Sequence, residues 1–158
     1  MGSGADPAIP VAIALGSNLG DREACLRAAL AALRPLVTSL RFSSFHDTAP
    51  VGVGEQPTFL NAVAVGETSL PARALLAALL DIERQFGRER PYPGAPRTLD
   101  LDLILYDDEI IDSSELIVPH PRFRQRRFVL EPLAEIAADW RDPVTGRTVS
   151  ELLTALSV

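Results

Sequence analysis

Pro96-Arg97-Thr98-Leu99-Asp100-Leu101-Asp102-Leu103-Ile104-Leu105 alternates leucine with other residues at the period of a β-strand. On such a strand Asp100 and Asp102 share a face, with α-carbons about 6.5 Å apart. Aspartate is depleted in strands, so a pair on one face needs a reason. A chemical one is available: two fixed carboxylates can hold Mg²⁺, which keeps several waters and completes its shell with substrate phosphates. Two such ions can clamp both oxygens of an in-line displacement at phosphorus. The plain alternative is an exposed face, or edge charges that oppose aggregation.

Upstream of that strand the chain is read as five more elements. Ile9 to Leu15 is a buried strand, and Gly16-Ser17-Asn18-Leu19-Gly20 a turn. Asp21 can cap the helix that follows, whose Leu26, Ala29, Leu30 and Leu33 recur at helical spacing until Pro35 stops it. Val37 to Asp47 is a second strand, and Phe59 to Val65 a third after a Gly/Pro loop over 48–57. Ser69 and Pro71 open a second helix, with Leu75, Leu79, Ile82 and Phe86 on one face and Gly87 at its end. Residues 88–96 form a second Pro/Gly/Arg loop before the aspartate strand. Strand, helix, strand, strand, helix, strand is the ferredoxin-like arrangement. Beyond Tyr106 come a short hairpin near Asp107-Asp108, a loop at Val118-Pro119-His120-Pro121, and helical patterns at Phe128–Ala137 and Val149–Leu156. The expected class is α+β: a ferredoxin-like βαββαβ core with extra C-terminal elements that cover the sheet's other face, a three-layer α-β-α architecture.

The 158 residues, 47% of them hydrophobic, suit a folded domain rather than a disordered chain. No apolar run is long enough for a bilayer span. The single Cys25, set in a helical pattern, fits a buried thiol in a reducing cytoplasm. A net charge of −6 disfavours general nucleic-acid binding. All 15 basic residues are arginine, which excludes a Walker A lysine, a kinase-type catalytic lysine and a Schiff-base lysine. Arg84, Arg88, Arg90, Arg97, Arg122, Arg124, Arg126 and Arg127 flank the aspartate pair. Arginine's planar fork suits phosphate.

Several smaller constellations bear on chemistry. The turn at Gly16 lacks both phosphate-loop patterns and reads as a tight turn. Phe59 and Asn61 share a strand face, where a ring and an amide can stack on and hydrogen-bond a flat heterocycle; singly, they also fit a core phenylalanine beside a strand-end amide. Glu83, Arg88, Arg90 and Arg97 form either a salt-bridge network or a polyphosphate site. His120, held between two prolines, can face phosphate or simply solvent.

These stretches together resemble the bacterial 6-hydroxymethyl-7,8-dihydropterin pyrophosphokinases of folate biosynthesis. The matching segments are Ala14-Leu15-Gly16-Ser17-Asn18-Leu19-Gly20-Asp21, Phe59-Leu60-Asn61-Ala62, Gly87-Arg88-Glu89-Arg90, Pro96 to Asp102, Val118-Pro119-His120-Pro121-Arg122, and Arg127-Phe128-Val129-Leu130 with Pro132-Leu133-Ala134-Glu135-Ile136. The resemblance implies transfer of the β,γ-diphosphate of ATP to the pterin hydroxymethyl group, with release of AMP. It implies two Mg²⁺ ions on Asp100 and Asp102, and ATP phosphates near Arg88, Arg90, Arg97, His120 and Arg126, with Glu83 beside them. Arg126 matches the family's late arginine, two residues before the phenylalanine, with Arg127 the alternative. Phe59 and Phe128 are expected to sandwich the pterin, Asn61 to bond its edge, and Thr48, Pro50 and Val51 to line the pocket. Arg88, Arg97 and Asp102 are expected to be catalytic.

The chain departs from some members at Pro91-Tyr92-Pro93-Gly94-Ala95, where they carry Trp-Gly, and at Leu80, where they carry glutamine. The expected organisation is a flexible tail over 1–8 and one pyrophosphokinase domain over 9–158. The protein is expected to be a cytoplasmic monomer that acts on small molecules, with no nucleic-acid or membrane partner. Two rivals share the residue pattern: a palm-type nucleotidyltransferase, which also sets paired carboxylates on such a sheet, and a non-catalytic ligand- or RNA-binding module.

Overall fold

A computed structural model describes residues 8–18, 20–48, 58–86 and 99–156. The tail (save Ala8), Pro50, Val51, Gly87, Arg88, Arg90, Tyr92 and Arg97 lie outside them. Strand β1 (Ile9–Ser17) runs at the centre of a sheet, between β4 (Phe59–Thr68) and β5 (Asp100–Tyr106). Both neighbours are antiparallel to it, and β2 (Thr38–Phe42) closes the far edge against β4. The order β2-β4-β1-β5 is that of a ferredoxin-like sheet, as expected.

The centre of this sheet is buried on both faces, which is why β1 and β4 read as nearly continuous apolar runs. One face carries Val11, Ile13, Leu15, Ala62, Ala64, Leu101 and Leu103. Against it pack α1 (Arg22–Leu33) through Leu26, Ala29, Leu30 and Leu33, and α2 (Ala72–Phe86) through Leu75, Leu79 and Ile82. Asp21 caps α1 by accepting the Ala24 N–H at 3.0 Å. The other face carries Ala12, Val63, Val65, Ile104 and Leu105 beneath α3 (Arg127–Ala137) and α4 (Val149–Leu156). Three layers result.

Four local readings need correction. The second strand is broken: β2 ends at Phe42 and β3 (His46–Thr48) pairs separately with Phe59–Asn61 of β4. The cause is Ser43, which is 3% exposed; its N–H bonds the Val63 carbonyl, and its hydroxyl oxygen accepts the Val63 N–H at 3.0 Å. A side chain there takes a ladder position that backbone would otherwise fill. Gly16 belongs to β1, not to a turn; the turn follows, with Gly20 at φ +65°. Asp107-Asp108 form only a tight turn, and the two-stranded ribbon is β6 (Ile111–Asp112) with β7 (Ile117–Val118). Finally, the leucine alternation ends at Leu103. Ile13 pairs with Leu103 and Ala12 with Leu105, so Ile104 is a β-bulge. Leu105 thereby turns to the α3 side, and the Ile104 carbonyl accepts the His120 N–H at 3.0 Å.

Candidate active site

The floor of the site is a piece of sheet register. Gly16 stands opposite Asn61 of β4 and Asp100 of β5. One pair further in, Ala14 stands opposite Val63 and Asp102. Cross-strand partners share a face, so Asn61, Gly16, Ala14, Asp100 and Asp102 all look toward the α3 layer. Two small residues between the amide and the carboxylates leave a hollow where larger side chains would have filled the core. A Cβ on Gly16 would lie 3.1 Å from Asn61 Oδ1 and 3.7 Å from the Phe59 ring.

That hollow is a cavity of about 360 Å³ lined by Ala14, Leu15, Gly16, Thr48, Phe59, Asn61, Asp100, Asp102, Arg126 and Phe128. Asn61 is 7% exposed, and its amide donates to Thr48 Oγ1. The Phe128 ring, from the first turn of α3, stands over the mouth with the Arg126 guanidinium 5.4 Å from its centroid. A second cavity of about 420 Å³ lies beyond β5. Its walls include Leu76, Leu80, Glu83, residues 113–117, His120 and Pro121. Asp100 and Asp102 line both cavities and form their common wall.

Each wall has a physical support. β5 is a sheet edge, so its outward N–H groups need partners. Glu83 Oε2 accepts the Leu101 N–H at 2.6 Å, pinning the strand between the two aspartates. His120 Nδ1 accepts the Arg122 N–H at 3.2 Å, which leaves the proton on Nε2. Burial pushes the His120 pKa down; Asp102 opposes this, while Arg126 and Arg122 add to it. The imidazole is therefore a neutral donor near pH 7.

Arg126 is placed by the 3₁₀ turn Phe123–Gln125, whose Phe123 is fully buried. Arg124 of that turn grips Asp142, with a 2.9 Å bond from Nη2 to Oδ1 beside a second from Nε to Oδ2. Thr145 Oγ1 and the Val144 N–H also donate to Asp142.

Residues 12–138 match the family described as 7,8-dihydro-6-hydroxymethylpterin-pyrophosphokinase (HPPK). The chain belongs to that family. It is 49% identical over 126 residues to the 2-amino-4-hydroxy-6-hydroxymethyldihydropteridine pyrophosphokinase of Bacillus subtilis, covering 78% of this chain and 75% of that one. The Pseudomonas aeruginosa protein of the same name is 42% identical over 147 residues, covering 92% and 90%. In fold the chain resembles the Plasmodium falciparum HPPK-DHPS crystal structure, with a TM-score of 0.77 at 13% identity. That match covers 97% of this chain and 46% of the longer one.

Within this pyrophosphokinase fold, Thr48, Phe59, Asn61, Asp100, Asp102, Arg126 and Phe128 converge on the first cavity, and Glu83 and His120 on the second. Arg127 is turned elsewhere, toward Glu131 at 3.4 Å. Sequence reasoning missed Ala14 and Gly16 as floor residues. Their signal was present: small residues at alternate positions of an otherwise bulky strand mark a place where something must approach closely.

Proposed function

We propose that this chain transfers the β,γ-diphosphate of ATP to the hydroxymethyl group of 6-hydroxymethyl-7,8-dihydropterin, giving AMP and the pterin diphosphate in folate biosynthesis. The observation that carries the reading is the shared wall: one carboxylate pair borders two cavities of different character. The first is rimmed by Phe59 and Phe128, with an amide and a hydroxyl on its floor. Such a slot suits a flat heterocycle, stacked on its faces and read along its edge. The second is wider, and His120 brings it a neutral N–H donor. It suits the nucleotide, whose phosphates then reach the aspartates from the opposite side to the pterin.

The bond formed joins the hydroxymethyl oxygen to the β-phosphorus. The bond broken joins that phosphorus to the oxygen bridging it to the α-phosphate, which leaves on AMP. Catalysis of this kind rests on alignment and charge compensation. Thr48, Phe59, Asn61 and Phe128 orient the pterin, with Pro50 and Val51 assigned to the same pocket. Arg126 brings positive charge to the cavity wall. Arg88, Arg90 and Arg97 are assigned to the phosphates with His120 and Glu83, and Arg88, Arg97 and Asp102 to catalysis.

The aspartates fit a divalent cation of the Mg²⁺ type. Among the described residues no group of three or more His, Cys, Asp and Glu side chains could hold a metal ion. The donors the described residues offer are thus a pair of carboxylates, which matches an ion that takes its remaining ligands from water and phosphate. When bound, two Mg²⁺ ions on Asp100 and Asp102 would neutralise phosphate charge on both sides of the transferred group.

Among the described residues no helix is long and apolar enough to cross a membrane. The reading is of a cytoplasmic, monomeric, single-domain enzyme over 9–158. Phosphorus NMR of the protein with ATP, Mg²⁺ and the reduced pterin tests it. AMP and a pterin diphosphate are expected. ADP would indicate attack at the γ-phosphorus, and free pyrophosphate attack at the α-phosphorus; either as the main pterin-dependent product overturns the assignment.

A further inference from the structure

A polar cluster outside both cavities joins two elements that build the first. Ser44 and His46 stand at the entry to β3, and Glu131 and Glu135 on α3. Glu135 Oε1 accepts the Ser44 N–H at 2.8 Å, and its Oε2 accepts the Ser44 hydroxyl at 2.8 Å. His46 Nε2 lies 2.6 Å from the same Oε2, and Nδ1 lies 3.7 Å from Glu131 Oε1. The carboxylate of Glu135 is held below its usual range: burial alone would raise it, and the Ser44 and His46 contacts outweigh that. At the next residue of α3, Arg41 Nη1 donates to the Ile136 carbonyl at 3.2 Å.

The geometry of the two elements makes this cluster more than a surface tie. On β3, His46 and Thr48 are two residues apart and share a face. On α3, Phe128, Glu131 and Glu135 fall at i, i+3 and i+7 on one stripe. The same strand face therefore carries the histidine and the cavity-lining Thr48, and the same helix stripe carries the glutamates and the cavity-covering Phe128. Whatever fixes His46 against Glu135 also fixes the gap between the strand floor and the Phe128 ring.

We propose that Ser44, His46 and Glu135 form a clasp between β3 and α3 that sets the width of the first cavity, with Glu135 as its positioning residue for the reduced pterin. The inference rests on the assignment of that cavity to the pterin. The nucleotide cavity is bordered by neither β3 nor α3, so the clasp acts on one substrate alone.

Steady-state kinetics of Glu135→Ala and Glu135→Gln, with melting curves alongside, test this. Glu135→Ala is expected to raise KM for the pterin about tenfold while KM for ATP stays within about twofold. Glu135→Gln is expected to recover to within about threefold of wild type, because its carbonyl still accepts from Ser44 and its amide can serve His46 in the other tautomer. Parallel rises in both KM values, no rise in either, or a glutamine variant as impaired as the alanine overturn the clasp. If Glu135→Ala does not fold, His46→Ala decides by the same split, since it leaves the Ser44–Glu135 bonds in place. Wild-type protein that turns over no pterin overturns the functional reading as well; normal wild-type turnover with unsplit variants overturns the clasp alone.

Discussion

Gly16 is the residue on which the shape of the first cavity turns. With no side chain, it leaves room for the Asn61 amide beside it. Gly16→Ala places a methyl group 3.1 Å from Asn61 Oδ1, so the amide must shift or lose its bond to Thr48. Pterin affinity is expected to fall about tenfold, about 1.4 kcal/mol, with ATP affinity unchanged, as read by titration calorimetry with each ligand. Asp100→Asn and Asp102→Asn each keep shape and remove a charge. Each is expected to lower turnover by at least about a hundredfold without lowering the melting temperature of the metal-free protein. An asparagine variant that turns over normally in saturating Mg²⁺ would remove that carboxylate from the reading. The aspartates were legible in the sequence because period-two spacing alone puts them on one face. Gly16 was not, because a glycine at a strand end and one in a turn look alike along the chain. Glu83 was legible as a site residue, but its bond to the Leu101 N–H needs the strand edge to be known.

At the scale of the element, α3 is held at both ends of its working stripe, by the Glu135 clasp and by the Arg124–Asp142 grip behind Arg126. Asp142 is fully buried. Burial would raise its pKa; hydrogen bonds from Arg124, Thr145 and the Val144 N–H outweigh this and hold the carboxyl below its usual range. A carboxyl depressed in the folded state contributes stability above its unfolded pKa of about 3.9, and that contribution is lost as pH falls through the folded value. Asp142→Asn is therefore expected to cost about 3 kcal/mol at pH 7, the low end for a broken buried pair because Arg124 stays partly exposed. Denaturant melts should show the gap between wild type and variant narrowing below pH 4 or so; a gap independent of pH would mean the charge is immaterial. Helix positions were read well from spacing, since apolar residues at i, i+3 and i+4 have one sensible placement. The break between β2 and β3 was not, because Ser43 looks like any strand serine until its hydroxyl is seen to replace a ladder bond. The clasp was out of reach for another reason: His46 and Glu135 lie 89 residues apart.

For the whole molecule, two cavities with one wall imply that ligand and fold stability are linked. Nucleotide with Mg²⁺ at about a hundred times its Kd adds about 2.7 kcal/mol. For a chain of this length that raises Tm by about 5–10 °C. Chelator should abolish the rise with ATP present, yet leave the Tm of the ligand-free protein within about 1 °C, since two carboxylates alone hold Mg²⁺ weakly. A large chelator effect without nucleotide would point instead to a structural metal.

The bulge at Ile104 has a bearing on how such a chain can change. A strand is a two-phase object: each residue counts as odd or even, and the core tolerates only one phase. Ile104 resets the count in mid-strand, so Asp100 and Asp102 obey one parity and Tyr106 the other. Deleting this single residue would make Ile13–Leu103 and Ala12–Leu105 consecutive pairs of a regular ladder, so every remaining side chain of β5 would keep its layer. What would be lost is the Ile104 side chain from the layer beneath α3 and the carbonyl that accepts the His120 N–H. The bulge therefore serves the histidine and not the register: without it the strand would keep its aspartates on their face and give up its hold on His120.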